Sequence, residues 1–442
     1  MFGRISRFRL GKTPRDVDRA IRYLVRDAAT HVPFYRSIYT AAGIASRTVR
    51  GVDDLPRLPI ATKEALLSAT DGGWLRRGTD PQRCFKSSTS GTTGMILTAH
   101  LSRSEMYYRR MTLVLAIGKN VRLRFPLTIA NVGAPPMKAT SDLAQRLGFV
   151  RIVHISSRVS AADQLEQLRK LRPAILEGRP TLLQQLAEEA LRFGELPTLC
   201  DVIVTTGEVL HGPVRELLER AFGTAVRDYY SCDEVGNLAW ECPDDSSVMH
   251  VNSDVCVLEV VDEMGAPIGA GRDGRVLVTS LYNRTMPFIR YEIGDRGWIH
   301  PEAVRRCSCG HLGTSMSLLG GRDEDYLVLP DGTRISPRIA FRIVWDQLPI
   351  LGNENTIHRL VRSFQLVQET PHEFVLRVDP GPHYNARMWD NLQSSLAYLH
   401  PGLVVTVRLE KGLELRNGAG KFSAVVSRVQ SNGSDPSEGG ME

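Results

Sequence analysis

The sequence contains no apolar run approaching the ~18 residues that a bilayer-spanning helix needs, which argues against a helical membrane protein. Its opening stretch, MFGRISRFRLGKTPR, carries arginines but no apolar centre, so a secretory leader is not expected and the cytoplasm is the expected compartment. Aromatics are sparse, at 7%, and none interleave with a basic stripe; without recognition-helix or zinc-finger spacing, a nucleic-acid partner is not expected either. Also missing are G-x-x-x-x-G-K-[ST] and G-x-S-x-G, and with them the main support for kinase-like NTPase and α/β-hydrolase readings. Cysteine is scarce too. The seven are odd in number and widely scattered, which argues against a disulfide framework and leaves reduced thiols or a metal site.

What is present describes an ordinary globular chain. Its 442 residues, 42% hydrophobic and 24% charged, are enough for two or three domains. The net charge of +6 favours anionic partners in general, but much of the excess lies in the arginine-rich start and on scattered helix faces, as solvated surface. Residues 15 to 45 show helical spacing around an aromatic anchor, with Pro33, Phe34 and Tyr35 as packing residues. Short apolar runs, from Leu113 to Pro126 and from Leu147 to Ile155, alternate with helical stretches such as AADQLEQLRKLRP and PTLLQQLAEEALRFGE, which predicts a parallel α/β core. LCDVIVTTGEVL places a buried strand just before Thr205-Thr206-Gly207-Glu208, where ligands of such sheets tend to lie. Between Val255 and Leu281 the period changes to two, predicting antiparallel strands. Within that region Gly269 to Gly274 matches G-x-G-x-x-G, but β-rich sequence follows it directly, so it is read as a hairpin turn rather than a dinucleotide loop. The last hundred residues read as a smaller α+β unit ending in a polar, disordered tail from Ser431.

KSSTSGTTGM, Lys86 to Met95, packs hydroxyls and glycines side by side. Glycine permits close backbone approach, so successive N–H groups can curl around an anion; the stretch reads either as a phosphate cradle or as a surface loop. Further polar constellations follow in order: DYYSCDEVG (Asp228 to Gly236), MPFIRYEIGDRGW (Met286 to Trp298), LGGRDEDYLVLPDG (Leu319 to Gly332) and NGAGKFSAVVSRV near the end. Together with HVPFYRSIY and DDLPRLPIATKEALL, they make the chain resemble the adenylate-forming superfamily from about Tyr35 to Lys421. The likeness is strongest to the phenylacetate–coenzyme A ligase branch and its capsule-biosynthesis relatives.

The resemblance implies an α/β fold, with a large N-terminal domain over 1–322, made of α/β layers and a β-rich subdomain. A small mobile α+β domain would follow over 323–430, then the disordered tail at 431–442. It implies attack of a carboxylate, aromatic or unsaturated, on the α-phosphate of ATP, release of pyrophosphate, and transfer of the acyl group to coenzyme A. Such displacement needs positioning and stabilisation of spread negative charge more than covalent help. Ser88, Thr89, Ser90, Gly91, Thr92, Thr93 and Gly94 would hold the triphosphate, with Thr93, Glu234 and Lys421 as the catalytic set. Glu234 would hold Mg²⁺. Thr205, Gly207 and Glu208 would border the adenine and the acyl pocket, beside Asp228 and Ser231. Tyr229 or Tyr230 would stack on the base, Asp295 and Arg322 would bind the ribose, and Arg290 would join the nucleotide site. Lys421 would reach the substrate carboxylate and α-phosphate, and Glu324 would serve as the hinge about which the small domain turns between half-reactions. Each also has an ordinary reading: the tyrosine pair as core, Asp295 as a turn residue, Glu234 as a helix cap and Lys421 as a solvated lysine.

Cys242, His250, Cys307 and Cys309 offer soft ligands suited to tetrahedral Zn²⁺, and some members of the branch carry zinc in this region; unliganded thiols are the alternative. Two features depart from the family pattern. Met95 and Ile96 stand where a polar residue and then Pro are usual, which predicts weaker ATP binding. TIANVGAPPMKATSDLAQRLGFVRIVHISS is poor in glycine and contains His154, a core residue or a pocket wall, so the acid itself is not specified. Glu259 and similar strand carboxylates are expected to face solvent. The acceptor could instead be an amine, a carrier-protein thiol or another small nucleophile, and a reading of another class is a nucleotide-binding scaffold that lost catalysis. A homodimer is compatible with the branch.

Overall fold

In the computed structural model, the described residues are 13–69, 73–88, 97–121, 126–133, 150–157, 159–194, 198–301, 307–322, 327–335, 337–345, 347, 360–397, 399–413 and 424–429. The phosphate-loop residues Thr89 to Ile96, the hinge Glu324 and the lysine Lys421 lie outside them, as do the side chains of Ser88 and Arg322. The chain divides into two units, Met1–Leu318 and Leu319–Glu442.

The first unit opens with α1 (Pro14–His31), started by a reciprocal capping box between Thr13 and Asp16 with Pro14 in the first turn. Its inner face buries Val17, Ile21, Leu24, Val25 and Ala28. Pro33 cannot continue that helix and begins α2 (Pro33–Ala41) instead, carrying the anchor expected from the sequence. The Tyr35 hydroxyl donates to the Pro287 carbonyl at 2.9 Å and accepts from the Ile289 amide at 2.9 Å, tying the N-terminal helices to a segment about 250 residues away. After α3 (Lys63–Ser68), β1 (Phe85–Ser88) and β2 (Thr98–Leu101) form an antiparallel pair flanking the phosphate-loop sequence. The run from Leu113, read above as a strand, is instead the last half of α4 (Arg103–Asn120). A second capping box, between Ser102 and Glu105, launches that helix, and Val114 and Ile117 then fall on its buried face at helical spacing.

The parallel core follows as expected. Strands β3 (Leu127–Gly133), β4 (Val150–Ser156), β5 (Ile175–Gly178), β6 (Val202–Thr206) and β7 (Val226–Cys232) alternate with α5 (Ala161–Leu171), α6 (Pro180–Arg192) and α7 (Gly212–Phe222). From β7 onward the same sheet becomes antiparallel, through β8 (Gly236–Glu241), β9 (Met249–Val251), β10 (Cys256–Val261), β11 (Gly274–Ser280), β12 (Tyr291–Ile299) and β13 (Ser315–Arg322). The full order is β10-β11-β12-β13-β9-β8-β7-β6-β5-β3-β4. Gly269 to Gly274 joins antiparallel β10 and β11, the setting expected for a turn. Packing α4 on one face of the parallel strands buries Ile129, Ile175, Val202 and Val204 with Val114 and Ile117, leaving the carboxyl ends of the strands for a site.

The second unit contains the hairpin β14 (Leu327–Val328) and β15 (Arg334–Ile335), helices α8 (Pro337–Trp345) and α9 (Leu392–Ala397), and a four-stranded mixed sheet. That sheet is ordered β18 (Val404–Leu409), β17 (Glu373–Pro380), β16 (Val361–Gln368), β19 (Val425–Ser427). Leu366, Phe374, Leu376, Val378, Leu392 and Leu396 form its core. Among the described residues no helix is long and apolar enough to cross a membrane.

Candidate active site

Parallel strands expose their last residues in one row, and here that row is polar. Thr205, buried at the end of β6, donates to Asp228 Oδ1 on β7 at 2.7 Å, and the Thr206 hydroxyl meets that of Ser231. The chain then turns through Asp233 and Glu234 into β8. Gly236 permits the turn: its φ is +101°, and a Cβ there would lie 2.8 Å from Arg109 Nε. Arg109, on α4, caps the turn by donating to the carbonyls of Asp233 (2.9 Å) and Cys232 (3.2 Å). One helical turn earlier, Glu105 accepts from the amides of Arg284 and Thr285, and the neighbouring Asn283 donates to the Glu234 carbonyl at 3.2 Å. Neither Arg109 nor Glu105 is singled out by motif. Their i, i+4 spacing in SEMYYRR places them on one helix face, and that is the signal the sequence held.

Two carboxylates at this edge are held by buried phenols. Tyr291 on β12 donates to Glu234 Oε1 at 2.9 Å, and Tyr230 on β7 donates to Asp295 Oδ2 at 2.7 Å. Both carboxylates are therefore oriented before any ligand arrives. This arrangement also separates the members of the tyrosine pair. Tyr229, 2% exposed, packs in the core with Val204 and Trp240, whereas Tyr230, 9% exposed, gives its hydroxyl to Asp295.

Four further expectations are revised. Glu208 accepts from the Thr181 amide at 3.2 Å and hydroxyl at 2.7 Å, and lies 3.5 Å from Arg179, so its carboxylate anchors the start of α6 rather than standing open to a ligand; the preceding Gly207 has φ +85°. Arg290 is 2% exposed, and its guanidinium is committed to Glu259 and to the carbonyls of Pro56, Leu58 and Gly265, so it is a structural pillar rather than a nucleotide ligand. Glu259 accordingly does not face solvent: burial raises its pKa and the Arg290 charge opposes that rise. His154 on β4 is exposed rather than core.

Burial pushes the Asp228 carboxyl up to about 6, against the pull of the Thr205 hydroxyl. A carboxyl raised in the folded state contributes stability that is complete below its unfolded value and is lost as pH climbs through the folded one. Stability should therefore fall between pH 3.8 and about 6, and Asp228→Asn, which can keep the Thr205 hydrogen bond, should flatten that part of the profile. Urea denaturation at stepped pH reads the slope; an unchanged slope in the variant would assign it to other groups.

On the antiparallel half of the sheet, Cys242, His250, Cys307 and Cys309 bring their ligand atoms within 4.8 Å of one another. Cys242 and Cys307 sulfurs are 3.4 Å apart, and Cys309 Sγ is 3.2 Å from His250 Nε2. A tetrahedron with bonds of about 2.0–2.3 Å to Zn²⁺ has edges of roughly 3.5 Å, so the donor set fits that ion. The other ring nitrogen, Nδ1, lies 3.0 Å from the Ser315 hydroxyl, which fixes the ring with Nε2 toward the thiols. His311 packs against His250 from outside the set, with ring centroids 4.2 Å apart and planes tilted by 37°. All seven cysteines are free of disulfides.

A parallel sheet extended by antiparallel strands, with a small mixed unit after it, is the fold of the adenylate-forming ligases. A crystal structure of 2-hydroxyisobutyryl-CoA ligase in the postadenylation state superposes with a TM-score of 0.73 at 18% identity, covering 94% of this chain and 89% of that one. By sequence, the chain is 26% identical over 341 residues to a phenylacetate-coenzyme A ligase of Thermus thermophilus, spanning 72% of this chain and 73% of that protein. It is also 26% identical over 132 residues to Protein CapK of Staphylococcus aureus, spanning 30% and 28%. The resemblance read from the sequence motifs is thus borne out, although no family model matches the chain.

Proposed function

We propose that this protein is an AMP-forming acid–coenzyme A ligase: it activates a carboxylic acid with ATP, releases pyrophosphate and transfers the acyl group to the thiol of coenzyme A. The observation that carries the reading is the pair Tyr291–Glu234 and Tyr230–Asp295, which presents two oriented carboxylates where the strands end. Asp295 accepts from the ribose hydroxyls. Glu234 keeps one carboxylate oxygen on Tyr291, leaving the other for Mg²⁺, an ion that commonly takes one or two carboxylates together with phosphates and water. There the ion would neutralise charge on the triphosphate. Thr205 and Thr206 hold the wall in place, and Arg109 keeps the Glu234 turn in register. Ser88 to Gly94 cradle the phosphates, and Lys421 meets the charge that develops at the α-phosphate. Glu324 and Arg322 lie at the start of the small unit, as hinge and ribose contact.

Exchange of labelled pyrophosphate into ATP, measured across aryl, alkenoic, hydroxy and amino acids, tests the first step. Thioester analysis with and without coenzyme A tests the second. Exchange with no acid in the panel would sink the reading.

The Cys242, His250, Cys307 and Cys309 set is proposed to hold structural zinc, since four protein ligands leave no open position for catalysis. Protein purified without chelator should contain about one zinc per chain, because a closed four-ligand site binds tightly. Cys307→Ser should lose the metal and lower the melting temperature, and elemental analysis finding no zinc in the parent protein would count decisively against the site.

A further inference from the structure

A cleft of about 590 Å³ opens beside α1. Arg19, Arg22 and Arg26 enter it from α1, and Arg76 enters from the turn that follows α3. Against these four guanidiniums stands one carboxylate, Asp27, which is already paired with Arg76 and lies 3.1 Å from His31 Nδ1. Tyr23, 49% exposed, forms part of the wall, and the Arg284 guanidinium sits 4.3 Å from the centre of its ring.

The arginines are not used as surface arginines elsewhere in this chain are used. Arg57, Arg83 and Arg192 each pair with a carboxylate three residues away. Arg19 and Arg22 have no ion-pair or hydrogen-bond partner among the described residues, and Arg26 reaches only the Arg47 carbonyl, at 3.2 Å. Positions 19, 22 and 26 share one helix face, where like charges three and four apart repel. Nothing in the packing of α1 requires that arrangement, since the buried residues occupy the opposite face. An anion seated among them would relieve the repulsion, and guanidinium forks match phosphate oxygens two at a time.

We propose that this cleft binds the phosphate dianion of a phosphorylated ligand. Two sources supply that chemistry: the 3′-phosphate end of coenzyme A, and a free phosphorylated solute. Tyr23 then offers a ring edge to whatever carries the phosphate. The cleft also touches the site framework. Arg284 directly follows Asn283, the residue that holds the Glu234 carbonyl, and the Arg76 amide donates to the Thr285 carbonyl at 2.9 Å.

Calorimetry on the full chain, without ATP or acid, tests the proposal with inorganic phosphate, coenzyme A and 3′-dephospho-coenzyme A as probes. The variant is Arg19→Ala/Arg22→Ala, confined to the open face of α1, with circular dichroism as the folding control. Losing two charge-assisted contacts should weaken phosphate-dependent binding ~10²-fold. A preference for coenzyme A over its dephospho form that vanishes in the variant identifies coenzyme A as the source. Phosphate binding that vanishes while coenzyme A is unaffected identifies a free solute. If phosphate and coenzyme A both fail to bind the parent, or bind the variant as tightly as the parent, the proposal is overturned. Pyrophosphate exchange requires none of these probes, so its failure would count against the proposed ligase activity and leave the cleft to be judged on its own.

Discussion

Arg290→Ala should destabilise the large unit by roughly 3–5 kcal/mol, the range for removing one partner of a buried ion pair. Arg290 Nε lies 3.1 and 3.3 Å from the two Glu259 oxygens. Nη1 donates to the carbonyls of Leu58 at 2.6 Å and Pro56 at 3.3 Å, and Nη2 to that of Gly265 at 3.0 Å. The side chain thus joins the N-terminal segment, the β10–β11 turn and the approach to β12. Its backbone adopts φ 46°, a left-handed conformation uncommon for a residue with a side chain, which the contacts on all sides hold in place. Truncation would leave the Glu259 charge in a site where burial already disfavours it, and would strip three carbonyls of their donor. Arg290→Lys should recover only part of the loss, because an ammonium cannot reproduce the fork. Urea denaturation separates this role from the nucleotide contact expected from sequence. A variant of parental stability with weakened ATP binding would return Arg290 to the site.

The difference between Arg290 and the cysteine–histidine cluster shows what the sequence could disclose. Cys242, His250, Cys307 and Cys309 were legible because thiol and imidazole ligands are few, and a set of them can be named without knowing the sheet order. The parallel core was legible because strand and helix alternate in sequence as they do in space. Glu259 and Arg290 are 31 residues apart and meet only through the order of the antiparallel strands, which period-two patterning does not encode. The same limit applies to Tyr230 and Tyr291. Motif order singled out Tyr230 but not Tyr291, and the pairing of each with Asp295 and Glu234 depends on register between strands distant in sequence. α4 was misread because a run such as LVLAIG suits a buried strand or a buried helix equally, and the capping pair that decides it, Ser102 and Glu105, lies eight or more residues upstream.

If the protein is the proposed ligase, Lys421→Ala is expected to slow adenylation by ~10² to 10³, about 3–4 kcal/mol, by analogy with removal of one donor that acts only on developing transition-state charge. Attack by a carboxylate on the α-phosphate brings two anions together, and a single ammonium near both offsets their repulsion and the charge passing to pyrophosphate. Neither Glu234 nor Asp295 can do this, since each is a carboxylate held by a phenol. Arg290 cannot either, since its charge is spent on Glu259. The defect should therefore fall on kcat for pyrophosphate exchange with little change in the KM for ATP, the pattern for an interaction made in the transition state. Transfer from a supplied acyl-adenylate to coenzyme A should proceed near the parental rate, because that step no longer involves the α-phosphate displacement. Exchange at the parental rate in the alanine variant would remove Lys421 from the chemistry, whereas equal losses in both half-reactions would mean that it holds the small unit together instead.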